Sequence, residues 1–181
     1  MELACFTFFG DSSEAFWTMM SFFAILVSFL FIIRQIKLQN SANEINFIDS
    51  FEKKWWSKEF VELRSEICLK QNNAIDYKTE RILGFFEDLG LMCKKNVISK
   101  ELVWEKFSFY IENYWIILKP CVKEYQCFKS DPTWYCNFDY LQHFTFKYSK
   151  KRTTNKDYKI SKKDRKKFKS EESKLKYNNC A

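Results

Sequence analysis

Residues 15–33 read AFWTMMSFFAILVSFLFII, and the reading of this run decides the fold. Its 19 residues include no charged side chain. Thr18, Ser21 and Ser28 carry hydroxyls that can bond back to the carbonyls of their own helix. At about 1.5 Å per residue a helix of this length reaches about 28 Å, close to the hydrocarbon thickness of a bilayer. A signal peptide would open with basic residues and close on a small-residue cleavage site. Here Glu2, Asp11 and Glu14 precede the run, and Arg34, Gln35, Ile36 and Lys37 follow it. A buried core helix would normally keep a polar face, and residues 19–33 show almost none. The run therefore reads as a transmembrane helix.

Lys and Arg flank a span on its cytoplasmic side. None lies before residue 15, whereas Arg34, Lys37, Lys53, Lys54 and Lys58 come after the run. The expected topology is single-pass, with the N-terminus outside and the rest in the cytoplasm. Trp17 suits the outer interface.

The chain has 181 residues, enough for this span and one further domain. Aromatic residues make up 19% of it, ample material for a core. With only 3 Gly and 2 Pro, helices joined by short loops are favoured over a β-sandwich or a loop-rich enzyme fold. The class expected is all-α. It has a leader at 1–14, the span at 15–33, a helical extension at 34–56, a helical body at 57–148 and a disordered basic tail at 149–181.

Spacing and capping signals place the helices. Ile36, Asn40, Asn43, Phe47 and Phe51 recur every three or four residues, with no Gly or Pro between 33 and 53, so the span can run on as one long helix. Ser57 is the cap expected for a helix over 58–69, whose apolar face is Phe60, Leu63, Ile67 and Cys68. Gln71, Asn72 and Asn73 read as a loop. Asp76 opens a helix to Lys94, striped by Ile82, Leu83, Phe85, Phe86, Leu89 and Met92. Gly84 inside it costs about 1 kcal/mol in propensity, which suggests close helix packing there. Ser99 caps a helix over 100–118, which Pro120 should end. Asp131 and Pro132 form a cap-and-proline start for a last helix over 132–146, burying Trp134, Phe138, Leu141 and Phe144, or Tyr135 and Leu141. The alternation over 143–148 leaves a short strand as the other reading.

The run RILGFFEDLGLMCKKNVISKELVWEKFSFYIENYWIILKP at 81–120 follows the RQIKLQNSAN continuation of the span and precedes SDPTWYCNFDYL. This order resembles an uncharacterised bacterial family of membrane-anchored helical proteins, a domain of unknown function, over about residues 16–141. The resemblance implies an anchored all-α protein in the bacterial inner membrane. It brings no activity and no catalytic residues.

Chemistry is sparse. There is 1 His, so a two-histidine metal site is excluded. No glycine-rich phosphate loop exists. Cys121, Cys127, Cys136 and His143 are spaced unlike any ordinary zinc finger, and the 7 cysteines read as mostly buried, reduced thiols. Glu87 and Asp88 read as a solvated face. No enzyme, cofactor or metal is expected.

Charge is segregated. From Lys147 to Ala181 the chain carries 14 Lys and Arg against 4 Asp and Glu, while the rest carries 16 against 19. The candidate contact residues are Lys150, Lys151, Arg152, Lys162, Lys163, Arg165, Lys166, Lys167 and Lys169. They would meet anionic lipid, with nucleic acid the less favoured partner because the anchor holds them near the membrane. The functional expectation is a membrane-anchored interaction or scaffold protein. It would bind the bilayer and either a protein partner or a second copy of itself. The alternatives are a small membrane-perturbing or phage-defence effector, and a tail whose main work is binding lipid or RNA.

Overall fold

The computed structural model describes residues 11–69, 75–152 and 160–175. Six helices and no strand occur among them: α1 (Asp11–Trp55), α2 (Lys58–Leu69), α3 (Tyr77–Lys94), α4 (Lys100–Lys129), α5 (Cys136–Arg152) and α6 (Lys162–Glu172). The all-α class holds. The loop expected at 71–73 lies outside the described residues, as do residues 1–10 of the leader expected at 1–14, whose residues 11–14 are the first turn of α1.

The chain divides between Asn43 and Glu44 into two compact units. In the first, α1 is the one described helix long and apolar enough to cross a membrane. Residues 16–33 all have exposed side chains, so this stretch is not a core helix. Thr18 Oγ1 donates to the Glu14 carbonyl at 2.7 Å and Ser28 Oγ to that of Ala24 at 2.8 Å. Their hydroxyls are thereby satisfied within the helix.

The second unit begins with the last turns of α1. Ile48, Phe51 and Trp55 are buried there, at 3%, 9% and 0% exposure. Trp55 is the centre of the core. The rings of Phe85 and Tyr110 lie 5.0 Å from it, Phe86 5.4 Å, Tyr114 5.5 Å, Phe107 6.3 Å and Phe60 6.4 Å. These rings come from α1, α2, α3 and α4, so one tryptophan joins four helices. The ring pairs meet mostly edge-on or tilted, the geometry that aromatic quadrupoles favour. α3 packs against α2, α4 and α5, and α6 lies along α2.

The predicted caps form. Ser57 Oγ accepts from Phe60 N at 3.4 Å, Asp76 from Thr79 N at 3.0 Å and Ser99 from Leu102 N at 3.3 Å. α3 ends at Lys94, as predicted, and Asn96 just beyond it has a φ of 55°, the left-handed turn that follows many helices.

Four expectations are corrected. First, Pro120 does not stop α4, which runs on to Lys129. Proline forfeits a helical N–H, but Leu118, Cys121 and Val122 around it are buried, and that packing outweighs the loss. Second, Asp131 and Pro132 do not start the last helix. The Asp131 carboxylate accepts from Thr133 N at 2.8 Å and Thr133 Oγ1 at 2.7 Å, closing a local turn, and α5 begins only at Cys136. The strand alternative over 143–148 falls with it, since α5 covers those residues. Trp134 stays 40% exposed while Tyr135 is buried. Third, the glycine in close packing is Gly90 and not Gly84. A Cβ on Gly84 meets nothing within 4 Å, whereas one on Gly90 would overlap the Asn137 carbonyl oxygen and stand 2.7 Å from its carbon.

Fourth, the basic segment is not wholly a disordered tail. α5 continues to Arg152, and residues 162–172 form α6 with Ser161 as its cap, accepting from Asp164 N at 3.1 Å. The physical reason is in two residues one turn apart. Phe168 and Glu172 are buried at 2% and 5% exposure, and they hold an otherwise solvated helix on the body.

Candidate functional site

The site is built around α6 and the way it is held. Glu172 is the last residue of α6. A carboxylate at a helix C-terminus opposes the macrodipole, so its place needs a tertiary reason. Arg64 supplies it. From α2 its Nε donates to Glu172 Oε2 at 2.9 Å and its Nη2 to Oε1 at 2.7 Å, a two-pronged pair. Arg64 Nη1 donates to the Trp55 carbonyl at 3.2 Å, and Tyr114 Oη donates to Glu172 Oε2 at 2.5 Å. The guanidinium also stands 4.3 Å from the Trp55 ring, 4.9 Å from Trp56 and 5.1 Å from Tyr110. Ser65 Oγ donates to the Ser173 carbonyl at 3.0 Å, and Phe168 packs edge-on against Phe109 and Tyr114, both at 5.4 Å.

Electrostatics follow this geometry. Burial alone would lower the Arg64 pKa, but the Glu172 hydrogen bonds and charge outweigh it and hold the guanidinium above its ordinary value. Burial, and then the neighbouring Cys68 and Glu172, push the Tyr114 phenol well up, so it stays a donor. Burial and the Glu172 charge raise the Cys68 thiol to about 11.

The other face of α6 is cationic. Lys162, Lys163, Lys166, Lys167 and Lys169 are exposed. Lys167 approaches Glu171 at 3.8 Å, a weak surface pair. Of the remaining residues singled out by composition, Lys150 and Lys151 are exposed in the last turn of α5. Arg152 is engaged already, paired with Glu101 and stacked 5.1 Å over Trp104. Arg165 is half-buried. It lines a cleft of about 850 Å³ among α4, α5 and α6, with Lys119 and Lys123 of α4 also on its wall.

A second feature escaped sequence reading. Glu87 is not a solvated acid. Its Oε1 accepts from Asn137 N at 3.2 Å and Asn137 Nδ2 at 2.8 Å, and its Oε2 from Phe138 N at 2.9 Å. It caps α5 from α3, one turn before Gly90, where the same backbone comes closest. Glu87 and Gly90 together seat the start of α5.

The cysteine and histidine group does not assemble. Cys121 is buried and Cys127 and Cys136 are exposed, while His143 Nδ1 lies 2.9 Å from the Asp139 carbonyl. No cluster of three or more metal-binding side chains occurs among the described residues. Cys68 and Cys93 are buried too, as small apolar fillers; Cys5 and Cys180 lie outside the described residues.

The architecture thus defines an all-helical protein with one membrane-length apolar helix and a helical body carrying a docked cationic helix. The family profile described as Domain of unknown function (DUF4760) matches residues 18–143, and the chain belongs to that family. No curated protein and no solved structure gives a significant match.

Proposed function

We propose that this chain is a membrane-anchored, non-enzymatic interaction protein whose body uses the α6 lysines to engage anionic lipid of the membrane that α1 enters. The observation that carries the reading is the docking of α6. Glu172 and Phe168 hold the helix in the core, which leaves the five lysines fixed and facing out. A fixed cationic face loses less entropy on contact with an anionic surface than a free tail does. Each Lys near such a surface adds about 1 kcal/mol. In this reading the host membrane is a bacterial inner membrane, and the flanking cations favour an outside N-terminus and a cytoplasmic body. Exposed aromatic side chains of the body, among them Trp56, Tyr77, Phe109, Phe128 and Trp134, offer contact area to a protein partner or second copy.

The test uses the full chain in vesicles of phosphatidylcholine, alone or mixed with phosphatidylglycerol. Trypsin cleavage after Lys162 to Lys169 is followed by mass spectrometry, with cleavage after Lys58 and Lys94 as the internal reference. Protection of α6 confined to anionic vesicles and lost at high salt supports the reading. Equal cleavage in both vesicles overturns it. Protection produced only by added RNA assigns the face to nucleic acid. An alkaline wash that strips the protein from cell membranes removes the anchor itself.

A further inference from the structure

The α4–α5–α6 cleft has a character of its own, separate from the outer lysine face of α6. Its volume of about 850 Å³ falls within the range of small-ligand sites. Pro120, Phe146 and Ile160 give it apolar walls. Its cations are Lys119 and Lys123, one turn apart on α4, and Arg165 from α6. None of the three forms an ion pair among the described residues. Lys123 Nζ donates at 3.2 Å to the neutral Gln126 Oε1. Arg165 Nε is buried with no acceptor among the described residues. Among the described residues one carboxylate lines the cleft, that of Glu112, which accepts from Ser149 Oγ at 2.7 Å. Gln142 adds a neutral amide to the wall.

We propose that this cleft binds a small organic phosphate. Three permanent cations from two helices suit a group with more than one negative charge and several acceptor oxygens. The planar fork of Arg165 suits two-pronged contact with phosphate. The apolar walls give the ligand's body a surface that inorganic phosphate cannot use. A soluble nucleoside phosphate and a phospholipid headgroup share this chemistry.

Both sources are tested on the full chain in phosphatidylcholine nanodiscs. One probe is N-methylanthraniloyl ATP, read by fluorescence; the other is dihexanoyl phosphatidic acid, read as its competitor. Saturable binding is expected, with stronger displacement by the better source. The pair Lys119→Glu with Lys123→Glu should weaken it about tenfold or more, and the neutral pair Lys119→Gln with Lys123→Gln by less. All four substitutions are at exposed positions, and circular dichroism checks that the helices persist. Lys162→Glu with Lys163→Glu, on the outer face of α6, should change it less than about twofold. Phe146→Ala should weaken the organic probes and leave competition by inorganic phosphate unchanged. Equal loss in the α4 and α6 pairs, or no saturable binding of either probe, overturns the proposal. Failure of the α6 lysines to meet lipid leaves it standing, because the two surfaces are changed by different substitutions.

Discussion

The Arg64 guanidinium grips the Glu172 carboxylate with two hydrogen bonds, at 2.9 and 2.7 Å, across 108 residues of sequence. Both side chains are buried, at 0% and 7% side-chain exposure. The pair closes the body by tying α6 to α2. Its charge is matched and its donors are used, the condition under which a buried ion pair is tolerated.

Removing one partner strands the other. Glu172→Ala is expected to cost about 3–5 kcal/mol in a urea titration of the full chain, because Arg64 stays buried without its counter-charge. Trypsin should then cut α6 faster after Lys166 and Lys169. The triple variant Arg64→Met, Glu172→Met and Tyr114→Phe should recover much of the loss, since apolar side chains of similar volume avoid the desolvation and leave no phenol without its acceptor. A triple variant no more stable than the single one would refute this account.

The two glycines of α3 should respond in opposite directions. Gly84→Ala has open space and improves helix propensity, so a gain of up to about 1 kcal/mol is expected. Gly90→Ala drives a methyl into the Asn137 backbone, and a loss of about 1–3 kcal/mol should appear as a lower melting temperature. Matching shifts at the two sites contradict the packing described for α3 and α5.

Glu87→Ala leaves the first turn of α5 without its acceptors, and a loss of about 1–3 kcal/mol is expected. Glu87→Gln keeps one acceptor oxygen and should lose less. Hydrogen exchange localises the effect: the amides of Asn137 and Phe138 should speed up most. Uniform exchange across the body would show that Glu87 acts elsewhere.

Stability should fall as the pH rises from about 9 to about 11. Burial holds the Cys68 and Cys93 thiols near 11 in the folded chain, against an ordinary value of 9.0. Over that window the unfolded chain releases thiol protons that the folded chain keeps, so the equilibrium moves toward unfolding. The raised phenols of Tyr110 and Tyr114 act in the same direction. Cys68→Ala with Cys93→Ala should flatten the lower part of the decline in urea midpoint. At pH 8 a maleimide should label Cys127 and Cys136 in the folded chain and spare Cys68 and Cys93. Labelling of Cys93 as fast as Cys127 would contradict its burial.

The arrangement of the cationic residues was half legible. Composition singled out the α6 lysines together with Lys150 and Lys151, and all of these are exposed. It also grouped Arg152 and Arg165 with them, although Arg152 pairs with Glu101 and Arg165 faces the cleft. The signal that α6 docks was present as Phe168 and Glu172, one turn apart inside a lysine run. Without Arg64 beside it, though, Glu172 reads as one more surface acid. Lys119 and Lys123 had no meaning until α5 and α6 came alongside α4.

Local interactions were readable from sequence alone. The apolar run at 15–33, the helical class and the caps at Ser57, Asp76 and Ser99 depend on residues within a turn or two of each other, or on composition. Tertiary structure decided the rest. α4 passes through Pro120 because neighbouring helices bury its flanks, and α5 starts where Glu87 can cap it. Gly90 matters where Gly84 does not, because only Gly90 lies against another backbone. α6 is a helix on the body because a buried arginine 108 residues away takes its last carboxylate. Propensity differences of about 1 kcal/mol or less per residue favour or disfavour a helix locally, but burial and paired charge, worth several times more, determine where it ends and what it touches.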